Sequence, residues 1–476
     1  MRRNLLFYLI TLLVFGTGIY LALDYGRHLA PLAVTPEATP GPALPAASAT
    51  PGAGPGQILL DRLHVPLGVL LLQLIVIILA ARLVGSWFQR IGQPAVIGEM
   101  VAGILLGPSL LGLLLPAAQA FLFPPASLGA LGLLSQIGVI LFMFVVGIEV
   151  DLEHLHKKAQ AAVVVSHASI VVPFFLGVAF SLLIYQALAP AAIPFSAFAL
   201  FMGIAMSITA FPVLARILEE RRLTRTSLGT IAIACASVDD ITAWCMLAVV
   251  VAIVKADGLG AAVLTIGLAL GFILLMLFVI RPQAARILRL EGGDEARSKK
   301  LVAGVLVFAF ASALLTEAIG IHALFGAFLA GVVMPSNSRL RGFLRERLET
   351  FSSVFLLPLF FAFTGLRTQI GLLNDWPSWL LCAELVAVAI AGKLGGSMLA
   401  ARWTGMGWKD AFSIGVLMNT RGLVELIVLN IGYDLGILSP RVFTMMVLMA
   451  LITTFMTGPI LSRLGFGRRV AESKSA

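Results

Sequence analysis

Hydrophobic residues form fourteen long runs along the chain, and short polar segments separate these runs. A helix needs about 20 mostly apolar residues to cross a lipid bilayer, and most of the runs are this long. They cover approximately residues 5–23, 67–88, 94–115, 127–150, 160–185, 195–218, 226–254, 260–281, 299–317, 321–336, 351–368, 377–402, 411–431 and 440–463. The pattern predicts a protein built from membrane-crossing helices.

The segments outside the runs predict the domain organisation. Residues 31–57 are rich in Pro, Ala, Gly and Thr with almost no charge, which is typical of a flexible linker. The first run follows two arginines, and Leu21-Ala22-Leu23-Asp24 is a poor cleavage site, which favours an uncleaved anchor over a signal peptide. We expect an anchor helix in 1–30, an extracytoplasmic linker in 31–57, a membrane domain in 58–465 and a short cytoplasmic tail in 466–476.

Composition and charge narrow the class of protein further. Of the 476 residues, 59% are hydrophobic and 12% are charged, whereas soluble proteins carry about 25% charged residues. The net charge of +9 could indicate nucleic-acid binding, but most of the 33 Lys and Arg lie in every second loop between the runs, and therefore on one side of the membrane. This distribution predicts insertion into the inner (cell) membrane with both termini in the cytoplasm. The three cysteines lie inside apolar runs without metal-ligand spacing.

Polar motifs interrupt two of the runs near the middle of the membrane. The sixth run contains Ser207-Ile208-Thr209-Ala210-Phe211-Pro212, and the thirteenth contains Met418-Asn419-Thr420-Arg421-Gly422. A broken helix exposes backbone polar groups, which lipid tolerates only where they line a cavity or bind an ion. The two runs cross in opposite directions, as in a transporter whose third to seventh helices repeat, inverted, as the tenth to fourteenth. The alternative is a simple kink at Pro212 and at Gly422.

Two adjacent acids, Asp239 and Asp240, lie in the middle of the seventh run. Placing a charge at the middle of the bilayer costs at least about 2.5–3.5 kcal/mol, so the pair indicates a specific role for these acids. Neighbours on a helix point about 100° apart, so one carboxylate can pair with a cation of the protein while the other faces water. A carboxylate can exchange a proton for a hard cation, which prefers oxygen ligands. The pair therefore predicts antiport chemistry, with a structural role as the alternative.

Further charged residues lie inside the runs. Lys393 lies deep in the twelfth run, and its expected partner is one of the two aspartates. That pair could be a purely structural salt bridge, or Lys393 could release its proton when the cation arrives; both readings stay open. Glu99 and Glu425 are further intramembrane acids, and Arg421, four residues before Glu425, is placed for an ion pair. The surroundings of Lys393 do not match a phosphate-binding loop, so no nucleotide site is indicated.

Motifs spread over almost the whole chain carry a family resemblance. They are Gln93-Pro94-Ala95-Val96-Ile97-Gly98-Glu99, Gly103–Ser109, Leu141–Glu149, Ser237-Val238-Asp239-Asp240, Pro358–Phe361 with Gly365-Leu366-Arg367, and Leu417–Ile427. Together they resemble the monovalent cation:proton antiporter-2 family, over about 67–463. The last motif is similar to the branch that contains plant cation/H+ exchangers and their bacterial relatives.

This resemblance implies an all-α polytopic membrane protein with the sodium/proton-exchanger fold. Two interrupted helices would cross among about thirteen core helices, one extra helix would precede them, and two copies would form a homodimer working by alternating access. Asp240 would be the cation- and proton-binding carboxylate, and Asp239 would be the partner of Lys393. Thr209 and Asn419 would lie at the crossing. Some potassium-efflux members carry a cytosolic nucleotide-binding domain; little follows the last run here, so such gating is not expected.

The predicted function is secondary active exchange of Na+ or K+ for H+ across the lipid bilayer, with cation and proton competing for Asp240. We expect no enzymatic activity, no cofactor and no nucleic acid or nucleotide partner. A channel-like or gated potassium-efflux path is the alternative. An intramembrane aspartyl protease is disfavoured, because its two acids must face each other across the substrate. The choice between Na+ and K+ stays open, and the two acids with Lys393 suggest two protons per cation.

Overall fold

The computed structural model describes residues 2–31, 65–149, 159–224, 226–255, 259–287, 295–335 and 338–466, and the regular structure in these segments is helical. We number the main helices α1 Arg2–Gly26, α2 Pro66–Arg90, α3 Ala95–Leu106, α4 Pro125–Glu149, α5 Ala159–Leu188, α6 Phe195–Ser207, α7 Phe211–Glu220, α8 Ser227–Lys255, α9 Leu259–Leu274, α10 Glu295–Ile319, α11 Ala323–Val332, α12 Ser338–Phe351, α13 Leu357–Arg367, α14 Trp376–Ile390, α15 Gly396–Trp403, α16 Trp408–Met418, α17 Leu423–Asp434 and α18 Pro440–Arg463.

Shorter elements join or extend these helices. Helices Leu111–Leu114 and Pro116–Leu122 connect α3 to α4. A π-helical turn at Leu275–Ile280 and the helix Arg281–Ile287 extend α9. Two further π-helical turns, Ser352–Leu356 and Ala391–Gly395, make α12–α13 and α14–α15 continuous. The predicted linker and tail lie outside the described residues except for their first residues, so the predicted domain boundaries stay predictions.

The described helices confirm a multi-span membrane protein. With joined helices such as α14–α15 counted as one, they form twelve spans long and apolar enough to cross a bilayer, or up to 13 if the bent pair α16–α17 is included. The tenth predicted run differs from the prediction, because its helix α11 has only ten residues. At 1.5 Å per residue such a helix is about 15 Å long, half the thickness of the hydrocarbon core. Gly320, with a φ of +100°, supplies the turn that separates α10 from α11.

The sixth run is interrupted as predicted. Helix α6 ends at Ser207, three residues follow in non-helical conformation, and α7 begins at Phe211. Pro212 occupies the first turn of α7, where its missing N–H removes no hydrogen bond from the helix. Pro212 therefore starts a new half-helix, rather than kinking a continuous one.

The thirteenth run is also interrupted, and the two breaks touch. Helices α16 and α17 meet at 41°, and Gly422 between them has a φ of +157°, a conformation open mainly to glycine. A Cβ at this position would lie 2.9 Å from the side chain of Val213 in the other break. The N–H of Ala210 donates to the carbonyl of Thr420 over 3.0 Å. The predicted pair of crossing, interrupted helices is confirmed.

The helices form two bodies. We call α1, α5–α8 and α14–α18 the site bundle, and α2–α4 with α9–α13 the frame. Two frame contacts are related by the inverted repeat: α3 packs on α13, and α11 packs on α4. Both are close glycine contacts. A Cβ at Gly365 would lie 2.2 Å from the backbone of Gly103, and one at Gly331 would lie 2.1 Å from the carbonyl of Phe144. Matching small-residue contacts of this kind let membrane helices approach closely, and here they confirm the repeat.

The predicted N-terminal anchor, α1, belongs to the site bundle. It packs along α5, with a smaller contact to α6. Phe7 stacks on Trp403 of α15 with ring centroids 4.8 Å apart, and Tyr8 meets the edge of His167 in α5 at 5.2 Å. The opposite face of α1 exposes large apolar side chains, as expected of a helix that contacts lipid.

Candidate functional site

The two acids of α8 lie where the interrupted helices cross. Asp239 is 0% exposed and Asp240 is 1% exposed. Although the two residues are neighbours on one helix, the hydrogen-bonding groups around them differ completely.

Four donors surround the carboxylate of Asp239. The hydroxyl of Ser166 in α5 donates to Oδ1. Oδ2 accepts from the hydroxyls of Ser169 at 2.8 Å and Thr209 at 2.7 Å. Lys393 Nζ forms a salt bridge with the same oxygen at 3.0 Å, and both side chains are fully buried. The carboxylate of Asp239 has a counter-ion within the protein and several hydrogen bonds, which a buried acid requires if it is charged.

Lys393 ties the acid to the end of the broken helix. Its ammonium group donates to the carbonyls of Ser169 at 2.9 Å and Ser207 at 2.5 Å, besides Asp239. Ser207 is the last residue of α6, where unpaired carbonyls carry partial negative charge. The three donors of the ammonium group thus each have an acceptor, and Lys393 connects the α14–α15 span to α5, α6 and α8.

Arg421 caps the same helix end from the other break. Its guanidinium donates to the carbonyls of Ala205 at 3.0 Å and Met206 at 2.7 Å. It also pairs with Glu425 at 3.2 Å, four residues later on the same chain segment, and both side chains are fully buried. Arg421 and Glu425 therefore hold the crossing together; among the described residues, neither pairs with Asp239 or Asp240.

Asp240 has the opposite environment. Both of its carboxylate oxygens are buried, and neither has a hydrogen-bond partner among the described residues. The backbone N–H of Phe211, at the positive end of α7, acts on it as a weak donor that falls short of full hydrogen-bond geometry. Oδ1 of Asn419, in the other break, is also buried without a described partner. The site thus contains buried oxygens of an acid and an amide without a described hydrogen-bond partner, and these are the ligand types of hard cations.

Of the remaining predicted site residues, Thr209 lies beside the acid pair and Glu99 lies apart from it. Thr209 lies in the break between α6 and α7, and its hydroxyl is within reach of both Asp239 and, at 3.1 Å, the carbonyl of Met418 in the other break. Glu99 lies in α3 of the frame, 8% exposed, where Arg82 and Arg216 are the charged groups that act on it. The structure brings Thr209 to the acid pair but leaves Glu99 outside the donor set of Asp239.

A cavity of about 450 Å³ lies between the site bundle and the frame. Its frame wall runs along α4 and along the continuous helix α12–α13, and its bundle wall includes Pro212 and Val213 of α7 and Leu423 of α17. Pro212 directly follows Phe211, whose N–H acts on Asp240. The cavity therefore provides space for water next to the break beside Asp240.

Two donors to Asp239 were missed by sequence reasoning. Ser166 and Ser169 are neutral residues in an apolar helix, where hydroxyls are common and carry no charge signal. Their spacing of three residues places them on one helix face, and this was the available indication. Among the described residues, no three His, Cys, Asp or Glu side chains are grouped to hold a metal ion.

The chain is similar to known exchangers in sequence. The family model of the transmembrane sodium/hydrogen exchanger matches residues 75–467. The Na+/H+ antiporter NhaS4 of Synechocystis is 46% identical over 83% of this chain and 97% of its own length. Cation/H+ antiporter 17 of Arabidopsis thaliana is 40% identical, and K+/H+ antiporter 1 of Saccharomyces cerevisiae is 34% identical, each over 83% of this chain. The chain spans about half the length of those two, 48% and 46%.

The fold has a solved counterpart. The sodium proton antiporter MjNhaP1 of Methanocaldococcus jannaschii matches with a TM-score of 0.61 and 14% sequence identity, over 83% of this chain and 96% of that one. The structural match supports the exchanger fold, and the sequence matches to antiporters place the chain among transporters, not enzymes. The chain belongs to the transmembrane sodium/hydrogen exchanger family.

Proposed function

We propose that this protein is a secondary active antiporter that exchanges Na+ or K+ for H+, and that the two ions compete for Asp240. The observation that carries the proposal is the contrast within the acid pair. Asp239 forms an ion pair with Lys393 and accepts hydrogen bonds from three hydroxyls. In contrast, both oxygens of Asp240 are buried without a described hydrogen-bond partner.

A buried carboxylate without a counter-ion is unstable, so Asp240 needs either a proton or a cation. Binding of the cation to the carboxylate releases the proton, and binding of the proton displaces the cation. The cation loses water when it enters, so other oxygens must replace that water. Asn419 Oδ1 and the backbone carbonyls of the breaks are the candidates, while Thr209 keeps Asp239 in place.

The cavity between site bundle and frame supports alternating access. It reaches the start of α7 from one face of the protein, next to the group that acts on Asp240. Movement of the site bundle against the frame would close this cavity and open the other end. In the orientation predicted from Lys and Arg, the large cavity opens to the cytoplasm.

The direct test uses purified protein in liposomes that contain a pH indicator. A cation pulse should drive proton movement in the parent protein, and Asp240→Asn should abolish it, because an amide neither binds the proton nor balances the cation. Asp24→Asn is the matched control, since Asp24 is a half-exposed acid on α1. Full activity of Asp240→Asn would refute the assignment. Repeating the assay with Li+, Na+, K+ and Rb+ identifies the transported ion.

A channel-like potassium path is the second candidate, and the same vesicles separate it from an antiporter. A channel passes the cation without moving a proton, and its flux saturates weakly. In an antiporter, an outward proton gradient alone drives uphill uptake of the labelled cation. Cation flux without any pH change would favour the channel.

The homodimer, the cytoplasmic termini and the location in the cell membrane stay predictions that accompany this proposal. Cross-linking of the protein in membranes tests the dimer. Labelling of single cysteines in the loops of intact cells tests the orientation, because an impermeant reagent reaches only the outer loops.

A further inference from the structure

A second, smaller cavity lies at the other end of the contact between frame and site bundle. It measures about 30 Å³, and three of the helical segments that line the large cavity, α4, α12–α13 and α17, also line this one. Helix α4 contributes Glu149 to the large cavity and Ser135 to the small one. Helix α17 contributes Leu423 to the large cavity and Asn430 to the small one.

The continuous helix α12–α13 shows that the two cavities face opposite sides. It belongs to a single span, Leu340–Leu372. Arg345 lines the large cavity near one end of this span, and Arg367 lines the small cavity near the other. The two positions are about 33 Å apart at 1.5 Å per residue, about the thickness of the hydrocarbon core. The cavities are therefore the two ends of one path, separated by packed side chains such as Phe360 and Phe361.

Arg367 connects frame and site bundle at the small cavity. Its guanidinium pairs with Asp434 at 2.8 Å and donates to Asn430 Oδ1 at 2.9 Å. It also lies over the ring of Phe363 in its own helix, 4.2 Å from the centroid, and over the ring of Tyr433 in α17 at 5.2 Å. Three of these four partners belong to α17, the helix that starts at the break.

The contacts of Arg367 hold α13 of the frame against α17 of the site bundle, and each contact is individually weak. The side chains of Arg367 and Asp434 are 22% and 42% exposed, and ion pairs of this exposure contribute little. The hydrogen bond to Asn430 and the two ring contacts add to that contribution. The guanidinium also places a positive charge at the end of the path, which opposes an arriving alkali cation.

We propose that Arg367 is a latch: it closes the end of the path opposite the large cavity by holding α13 of the frame against α17 of the site bundle. Arg367 is a positioning residue that sets how often each end is open. The statement that the transported cation follows this path rests on the proposed function. The statement that Arg367 closes one end of the path does not.

The test measures access to each end with a membrane-impermeant thiol reagent. Cys245→Ser removes the exposed native cysteine, and the other two native cysteines are buried. Ser135→Cys then reports on the small cavity and Ser353→Cys on the large one, each in vesicles of both orientations. Arg367→Gln should raise the labelling rate of Ser135→Cys about five- to thirtyfold from the side of the small cavity, and lower that of Ser353→Cys.

Controls separate a latch from a general loosening of the structure. Arg27→Gln breaks an exposed pair within α1, Arg27 with Asp24, and should change neither rate. Asp434→Asn should act like Arg367→Gln. Exchange of the two charges, Arg367→Asp with Asp434→Arg, should restore slow labelling of Ser135→Cys. If Arg367→Gln is not recovered in folded form, Asp434→Asn carries the test.

Unchanged labelling in Arg367→Gln and in Asp434→Asn would overturn the latch, and so would equal increases at both reporters. Labelling needs no transport, so its outcome is independent of the proposed function. A protein without cation-driven proton flux but with the expected labelling shift would retain the latch and lose the antiport proposal. The reverse result would retain antiport and lose the latch.

Discussion

Asp239 and Asp240 are adjacent on one helix and equally buried, yet they have opposite surroundings. Asp239 has an ammonium group and three hydroxyls, whereas Asp240 has no described hydrogen-bond partner. The difference arises because neighbouring positions on a helix point about 100° apart, toward different helices. One position thus has a counter-ion within the protein, and the other, which we propose as the ion-binding acid, has no described hydrogen-bond partner.

The donors that distinguish the two acids come from outside α8. Ser166 and Ser169 belong to α5, Thr209 to the first break, and Lys393 to the π-helical turn between α14 and α15. The difference between the two acids is therefore a property of the assembled bundle, and changes in these donors should reduce it.

The largest effect is expected from Lys393→Met, which leaves Asp239 buried without its counter-ion. Removing one partner of a buried pair destabilises a protein by about 3–5 kcal/mol. Thermal unfolding of the purified protein in detergent measures the loss. Adding Asp239→Asn should recover part of it, since no unpaired charge then remains. A single variant as stable as the parent would show that Lys393 does not stabilise Asp239.

A smaller effect is expected from the hydroxyl donors. Ser166→Ala and Ser169→Ala each remove a hydrogen bond to a charged group and should destabilise the protein by about 1.5–3 kcal/mol. Ser181→Ala is the matched control: Ser181 is buried in the same helix but donates only to the carbonyl of Gly177, and it should lose about 0.5–1.5 kcal/mol. The same unfolding assay compares the three, and equal losses would contradict a special role for Ser166 and Ser169.

The pH dependence of transport tests the role of Asp240 directly. If proton and cation share this carboxylate, lowering the pH fills it with protons, so the apparent KM for the cation must rise. In the competitive range the rise is about tenfold per pH unit, equivalent to about 1.4 kcal/mol, while saturating cation restores the maximal rate. Initial rates at several pH values and cation concentrations measure this. If the maximal rate fell with pH while KM stayed constant, the proton would bind to a group other than Asp240.

The smallest effect on stability is expected from Asp240→Asn. This change replaces a buried acid whose two oxygens have no described hydrogen-bond partner. The free energy of unfolding should stay within about 0.5 kcal/mol of the parent or increase, although transport is lost. The unfolding assay used for Lys393→Met provides the comparison. A marked loss of stability would mean that Asp240 carries a structural partner, as Asp239 does.

Much of the fold follows from local sequence signals. The apolar runs predict the membrane spans, because a helix that crosses lipid must be apolar along its whole length. Pro212 and Gly422 predict the breaks, because proline restricts the backbone and glycine permits a positive φ that other residues avoid. The tenth run, 321–336, forms a helix of only ten residues, because hydrophobicity does not distinguish a full span from a shorter helix that packs inside the protein.

The site was predictable only where a charge marked it. Asp239, Asp240 and Lys393 stood out because charges are expensive in lipid. The acceptors of Arg421 are carbonyls of α6, more than two hundred positions earlier in the chain, and any residue type can provide them. The partners of Arg367 also depend on how α13 and α17 meet, which single-sequence patterns do not encode.

The packing of α1 on α5, α6 and α15 has a practical consequence for watching the protein at work. A dye attached to α1 would follow the site bundle, whereas a dye on α2 would follow the frame. If the two bodies move against each other as we propose, energy transfer between the dyes would change during transport, without any label near the acids.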